Sequence, residues 1–217
     1  STSMMLRSIF LLILLISLAS DAQDVYKDLR NDWLQKAEQS KPRLIETTRQ
    51  PVSLVDLVKD ENAFQHWKAV RSKPVDSLYN GSFKKLSSVV VDFGEHLTGY
   101  FSFSLEDLGR VADAPVRIKF TFGEVPAELA TPFDPYPGGL SRAWLQDEII
   151  TVSDIPVTIT IPRRFAFRYV KMELLGSSVY SDFRFSNISF KATTSVNAKA
   201  EPLASSADKM IADIDRI

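Results

Sequence analysis

The chain is predicted to be mainly β, an antiparallel β-sandwich or jelly roll with a helical N-terminal lead-in and a C-terminal linker helix. Three observations predict it. From Leu86 onward apolar residues recur at every second position, turn signals divide the runs at short intervals, and no helix-period segment lies between them. Seven short strands punctuated in this way fit a sandwich, whereas a βαβ fold needs a helix after each strand.

Residues 1–22 have the layout of a secretory signal peptide. Arg7 gives the positive start, residues 9–18 form an apolar stretch broken only by Ser17, and Ala19, Ser20 and Ala22 offer a cleavage site. The stretch is shorter than the roughly 20 residues that span a bilayer, so the mature chain is expected to leave the membrane. With no cysteine there is neither a lipid attachment point nor a disulfide. A periplasmic or secreted bacterial protein is the expected setting.

Residues 23–84 are expected to be a helical or irregular lead-in. Val25, Tyr26, Leu29, Trp33, Leu34 and Ala37 fall on one helical face before Pro42, and Phe64, Trp67 and Val70 are spaced for a second helix over residues 62–70. The sandwich is expected over residues 85–196. Val89 and Val91 begin a strand that Gly94 is expected to end. Phe101, Phe103 and Leu105 line one face of the next, and Val116, Ile118, Phe120 and Phe122 alternate with Arg117, Lys119 and Thr121 in the clearest half-buried strand. Further strands are expected over 148–152, 157–161, 165–174 and 183–192. The stretch 125–146 breaks the rhythm. Its prolines and the Gly138-Gly139 pair predict an irregular loop, long enough to invite a functional reading. Residues 197–217 read as a linker and the start of a helix, with Met210, Ile211, Ile214 and Ile217 on one stripe, leading into a further domain.

Composition removes several classes of function. Hydrophobic residues make up 45% and charged residues 24% of the 217, so a packed core is expected. A net charge of −1 is unlike a nucleic-acid binder, which needs a basic face. No phosphate loop, dinucleotide fingerprint or nucleophile elbow is present, and no cofactor is expected. Asp92, Glu95 and His96 are metal-ligating residue types, but two histidines and no cysteine make a poor ligand supply, so no metal site is expected.

The strand region also carries recognisable phrases. Asp92-Phe93-Gly94 is followed by Gly99-Tyr100, then by Phe122-Gly123-Glu124-Val125-Pro126 with Glu128. Trp144-Leu145-Gln146 comes next, and then Pro162-Arg163-Arg164-Phe165-Ala166-Phe167-Arg168-Tyr169-Val170. In this order they resemble the β-sandwich region upstream of the catalytic domain in α-L-rhamnosidases of glycoside hydrolase family 78, over about half the chain. The resemblance implies that chemistry resides in a downstream (α/α)6 barrel acting in cis on rhamnose-containing glycans. There one carboxylic acid protonates the leaving oxygen and a second carboxylate activates water. It places no catalytic residue in this chain.

Within the chain, Glu124, Glu128, Asp134, Asp147 and Glu148 are acids near the long loop, expected to shape turns rather than to cleave a glycoside. Arg163, Arg164 and Arg168 are expected to pair with acids while their stems cover apolar surface. The candidate carbohydrate contacts are Tyr136 and Trp144, whose rings can stack on a sugar, with Asp134, Arg142 and Gln146 to bind hydroxyls. A stand-alone secreted carbohydrate-binding or surface-interaction module is the second reading of the same residues.

Overall fold

The computed structural model describes residues 26–109, 113–132, 135, 138–139, 143 and 145–195. The expected signal peptide and the C-terminal linker helix lie outside them. The chain divides into two units at Arg43. In the first, residues 26–39 form helix α1, as the apolar spacing predicts, with Lys36 and Asp32 paired one turn apart at 2.7 Å. Among the described residues no helix is long and apolar enough to cross a membrane.

The second unit is built on eight antiparallel strands: β1 (Ile45–Arg49), β2 (Ser53–Lys59), β3 (Trp67–Lys73), β4 (Ser88–Asp107), β5 (Val116–Gly123), β6 (Asp147–Val152), β7 (Val157–Gly176) and β8 (Phe183–Thr194). Short helices α2 (Asp76–Tyr79), α3 (Phe83–Leu86) and α4 (Pro126–Ala130) join them. The sheet runs β1-β8-β4-β7-β5-β6, and β2 pairs with both β3 and β4.

The mainly β architecture is therefore as expected, but four local expectations are corrected. Residues 45–73 hold three strands where a helical or irregular lead-in was expected. Residues 62–70 are not a helix: a single 3-10 turn at Phe64–His66 leads straight into β3. Its Trp67 pairs with Lys59 and its Val70 with Asp56, so the hairpin to β2 overrides a three-residue helical spacing. Gly94 does not end a strand. Asp92 pairs with Tyr169 and Leu97 with Phe167, so residues 93–96 form a bulge inside a continuous β4. Gly94 there has φ of +81°, with its N–H donating to Asp92 Oδ1 at 2.7 Å. Finally, the stretch 125–146 is not wholly irregular, since it opens with α4.

Bulges also explain how the apolar phase survives in the long strands. In β8, Phe183 and Phe185 face the core, and so do Ile188, Phe190 and Ala192. The register shift opposite Ser104 and Leu105 inserts the one extra residue that this change of parity requires. In β7 both Phe167 and Val170 point inward, leaving Arg168 and Tyr169 together on the outer side. Pro162, which has no N–H to offer, sits where the β4–β7 register shifts again.

The core is largely aromatic. Among the described residues, every phenylalanine but Phe64 is buried. They meet mostly edge to face, as Phe167 does with Phe190 at 4.6 Å, while Phe122 and Phe165 stack with centroids 3.8 Å apart. Helices α2 and α3 close one end by inserting Leu78 and Phe83, both fully buried. A smaller cluster of Val55, Val90, Leu129 and Tyr169 forms on the other face of the sheet, where α4 sets Leu129 over β2, β4 and β7. That cover explains why the run Val89-Val90-Val91 is apolar without alternation: it is packed from both sides.

Candidate functional site

The long loop between β5 and β6 leaves and rejoins the sheet through side chains that bind backbone. At its start, α4 follows Val125 with Pro126 in the first helical position, where a missing N–H costs nothing. Glu128 turns back and accepts the Glu124 N–H at 2.7 Å, with the Val125 N–H at 3.5 Å. Glu128 thus caps a helix, the turn-shaping role expected of it.

At the loop's end, Gln146 bridges to β7. Its Nε2 donates to the Ala166 carbonyl at 2.9 Å and its Oε1 accepts the Ala166 N–H at 2.8 Å, so the carboxamide completes a sheet-like pair. Its own carbonyl accepts from Phe122 N at 2.8 Å. Arg163 spans the adjacent segment, donating to Leu145 O at 2.7 Å and to Glu148 Oε1 at 2.7 Å. Two strands and three polar side chains therefore fix where the loop begins and ends. Of the five candidate carbohydrate contacts, Gln146 stands at this foot, committed to the Ala166 backbone. Asp134, Tyr136, Arg142 and Trp144 lie outside the described residues.

Asp92, Glu95 and Glu148 are held by cations. Asp92 is mostly buried and takes Arg168 through two hydrogen bonds, Nε to Oδ1 at 2.9 Å and Nη2 to Oδ2 at 3.1 Å. That bond holds the Arg168 guanidinium above its ordinary pKa, against the opposing effect of burial. Burial, reinforced by the Asp92 charge, raises the Tyr169 phenol above its ordinary value. Glu95 pairs with Arg49 at 3.3 Å, and His96 is exposed. Among the described residues no group of three metal-ligating side chains converges. Among the described residues these acids form structural ion pairs. Sequence reasoning missed the Gln146–Ala166 clamp because nothing local in a sequence shows a side chain meeting backbone twenty residues away.

A model of the glycosyl hydrolase family 78 alpha-rhamnosidase N-terminal domain matches residues 51–192. The chain belongs to that family. The match takes in β2 and β3, so two of the three strands missed in the expected lead-in are part of the family 78 N-terminal domain. Among solved structures, a rhamnosidase from Klebsiella oxytoca with rhamnose bound superposes with a TM-score of 0.72 at 34% identity, covering 82% of this chain and 34% of the Klebsiella chain. This domain-bearing chain thus spans about a third of that relative's length. A family 78 rhamnosidase of Bacillus sp. GL1 matches at 20% identity and a TM-score of 0.36, covering 50% of this chain and 10% of its own. The alpha-L-rhamnosidase of Dictyoglumus thermophilum matches at 17% identity and the same TM-score, covering 72% and 14%. Among curated proteins, none matches this chain.

Proposed function

We propose that this chain is the noncatalytic N-terminal portion of an exported bacterial α-L-rhamnosidase, supporting in cis a catalytic barrel that acts on rhamnose-containing glycans. The family match over residues 51–192 carries the reading. The Klebsiella rhamnosidase supports it, since its likeness to this chain is confined to a third of its own length. The chemistry of the described residues agrees. Asp92, Glu128 and Glu148 are each engaged by a cation or by backbone N–H groups, whereas glycoside hydrolysis needs one carboxyl free to protonate a leaving oxygen and another free to activate water. In this role the two held ends of the segment, at Glu128 and Gln146, offer fixed points for a neighbouring domain.

The test is turnover of an aryl α-L-rhamnoside by the purified chain, alongside sequencing of the reading frame past the codon for Ile217. The expected result is no turnover and an in-frame barrel-coding segment. Hydrolysis by the chain alone would place the chemistry here instead, and a stop codon directly after Ile217 would remove the partner in cis.

A further inference from the structure

A cleft of about 210 Å³ opens on the outer face of the sheet, between the strands and the end of α4. Its floor is a lattice of four polar side chains. Lys119 and Thr121 project from β5, Lys171 and Glu173 from β7, and the register sets Lys119 opposite Glu173 and Thr121 opposite Lys171. The opposite face of the same strands carries Ile118, Phe120, Val170 and Met172 into the core, so these four side chains have only one direction to take. Leu129, Ala130, Thr131 and Pro132 form the wall.

The floor is held in place. Lys171 Nζ lies 3.1 Å from Glu173 Oε1, and Lys119 Nζ lies 4.0 Å from Asp147 Oδ2. The lysine side chains are only 21% and 26% exposed, and Thr121 is buried. Side chains so confined have already lost much of their rotamer freedom, and a ligand that meets them need not order them again.

We propose that this cleft binds one neutral sugar ring. Its chemistry selects that class. Lys171 lies against Glu173 on the floor and Lys119 against Asp147 beside it, so each ammonium is offset by a carboxylate and no unpaired charge favours a phosphate, a sulfate or a uronate. The ammonium groups and the Thr121 hydroxyl donate, and the Glu173 carboxylate accepts, a mixture that suits hydroxyl groups acting both ways. Leu129, Ala130 and Pro132 give an apolar flank for the C–H face of a ring. The volume falls below the roughly 300–1,000 Å³ of sites for drug-sized ligands, which sets the limit at one ring. Such a cleft operates without a catalytic barrel, so it stands or falls separately from the proposed function.

The test is a titration of the isotopically labelled chain, followed by amide NMR shifts, with L-rhamnose, D-glucose, D-galactose and, as the charged control, sodium sulfate. Saturable shifts at residues 119–121, 129–131 and 171–173 with at least one neutral sugar, and none with sulfate, are expected. Thr121→Val and Lys171→Met should each weaken binding about tenfold, the loss of a hydrogen bond to a charged or buried partner, while Thr121→Ser retains it. Absence of shifts at these amides with all three sugars would overturn the proposal, as would a stronger response to sulfate. So would undiminished binding in folded Thr121→Val and Lys171→Met variants. Binding of glucose or galactose without rhamnose supports the cleft and leaves the proposed function to its own test.

Discussion

Arg168 holds both carboxylate oxygens of Asp92 across the β4–β7 pair, at 2.9 and 3.1 Å, while the Gly94 N–H takes a third bond to Oδ1. One carboxylate therefore fixes the base of the β4 bulge to the outward kink of β7. Replacing Arg168 with Met leaves a mostly buried charge with a single backbone donor. The guanidinium itself is partly exposed, so the cost lies between the surface and buried limits, about 2 kcal/mol. Urea denaturation should show the loss. An Asp92→Asn, Arg168→Met double variant should recover part of it, and strict additivity of the two would argue against the pairing.

Gln146→Ala removes both bonds to Ala166 and leaves that residue's N–H and carbonyl without their partner. A loss of about 1–3 kcal/mol is expected, together with faster hydrogen exchange at the Ala166 amide. Unchanged exchange would show that the carboxamide is not holding the strand.

Gly99→Ala should prevent folding. A Cβ at this position would meet the Lys191 carbonyl oxygen at 1.9 Å, and backbone on a paired strand cannot yield. Gly176, where the same atom meets nothing within 4 Å, is the matched control and should accept alanine. Soluble expression and thermal unfolding of the two variants provide the comparison.

Burial raises the phenol pKa values of Tyr79 and Tyr169 above the ordinary 10. The folded state then holds these protons more tightly than the unfolded chain does. Their contribution is fully present below about pH 10 and is lost as pH rises through the folded-state values. The urea midpoint should fall above about pH 10, and Tyr169→Phe should make that fall shallower. A midpoint that rises in this range would contradict the assignment.

What the sequence made legible was decided by whether one side of a strand meets water. β5 alternates cleanly because its inner residues pack on the core and its outer ones do not, so it was expected residue for residue. β1, Ile-Glu-Thr-Thr-Arg, is exposed throughout and carries no alternation to find. β2 is apolar on both sides near its start because β4 adjoins it and a second cluster covers it. Gly94 misled because a strand terminator and a bulge both call for glycine, and only the partner strand's register separates them. At the loop, the pairing role of Arg163 and Arg168 was legible from residue type. Gln146 was named as a carbohydrate contact from its residue type, whereas its bonds to the Ala166 backbone are set by the fold and leave no trace in local sequence.

β1 and β8 are the first and last strands among the described residues, yet Arg49 pairs with Phe190 and Ile45 with Thr194. β4 likewise must take β8 along one edge before its phenylalanines are enclosed. Contacts so distant along the chain make for slow folding, because the loop between them must close before either strand gains anything. During synthesis this domain has no complete intermediate to rest in. Its core stays open until the segment carrying Phe183, Phe185 and Phe190 has left the ribosome, and until then the chain from β1 to β7 exposes phenylalanines that a chaperone can shield.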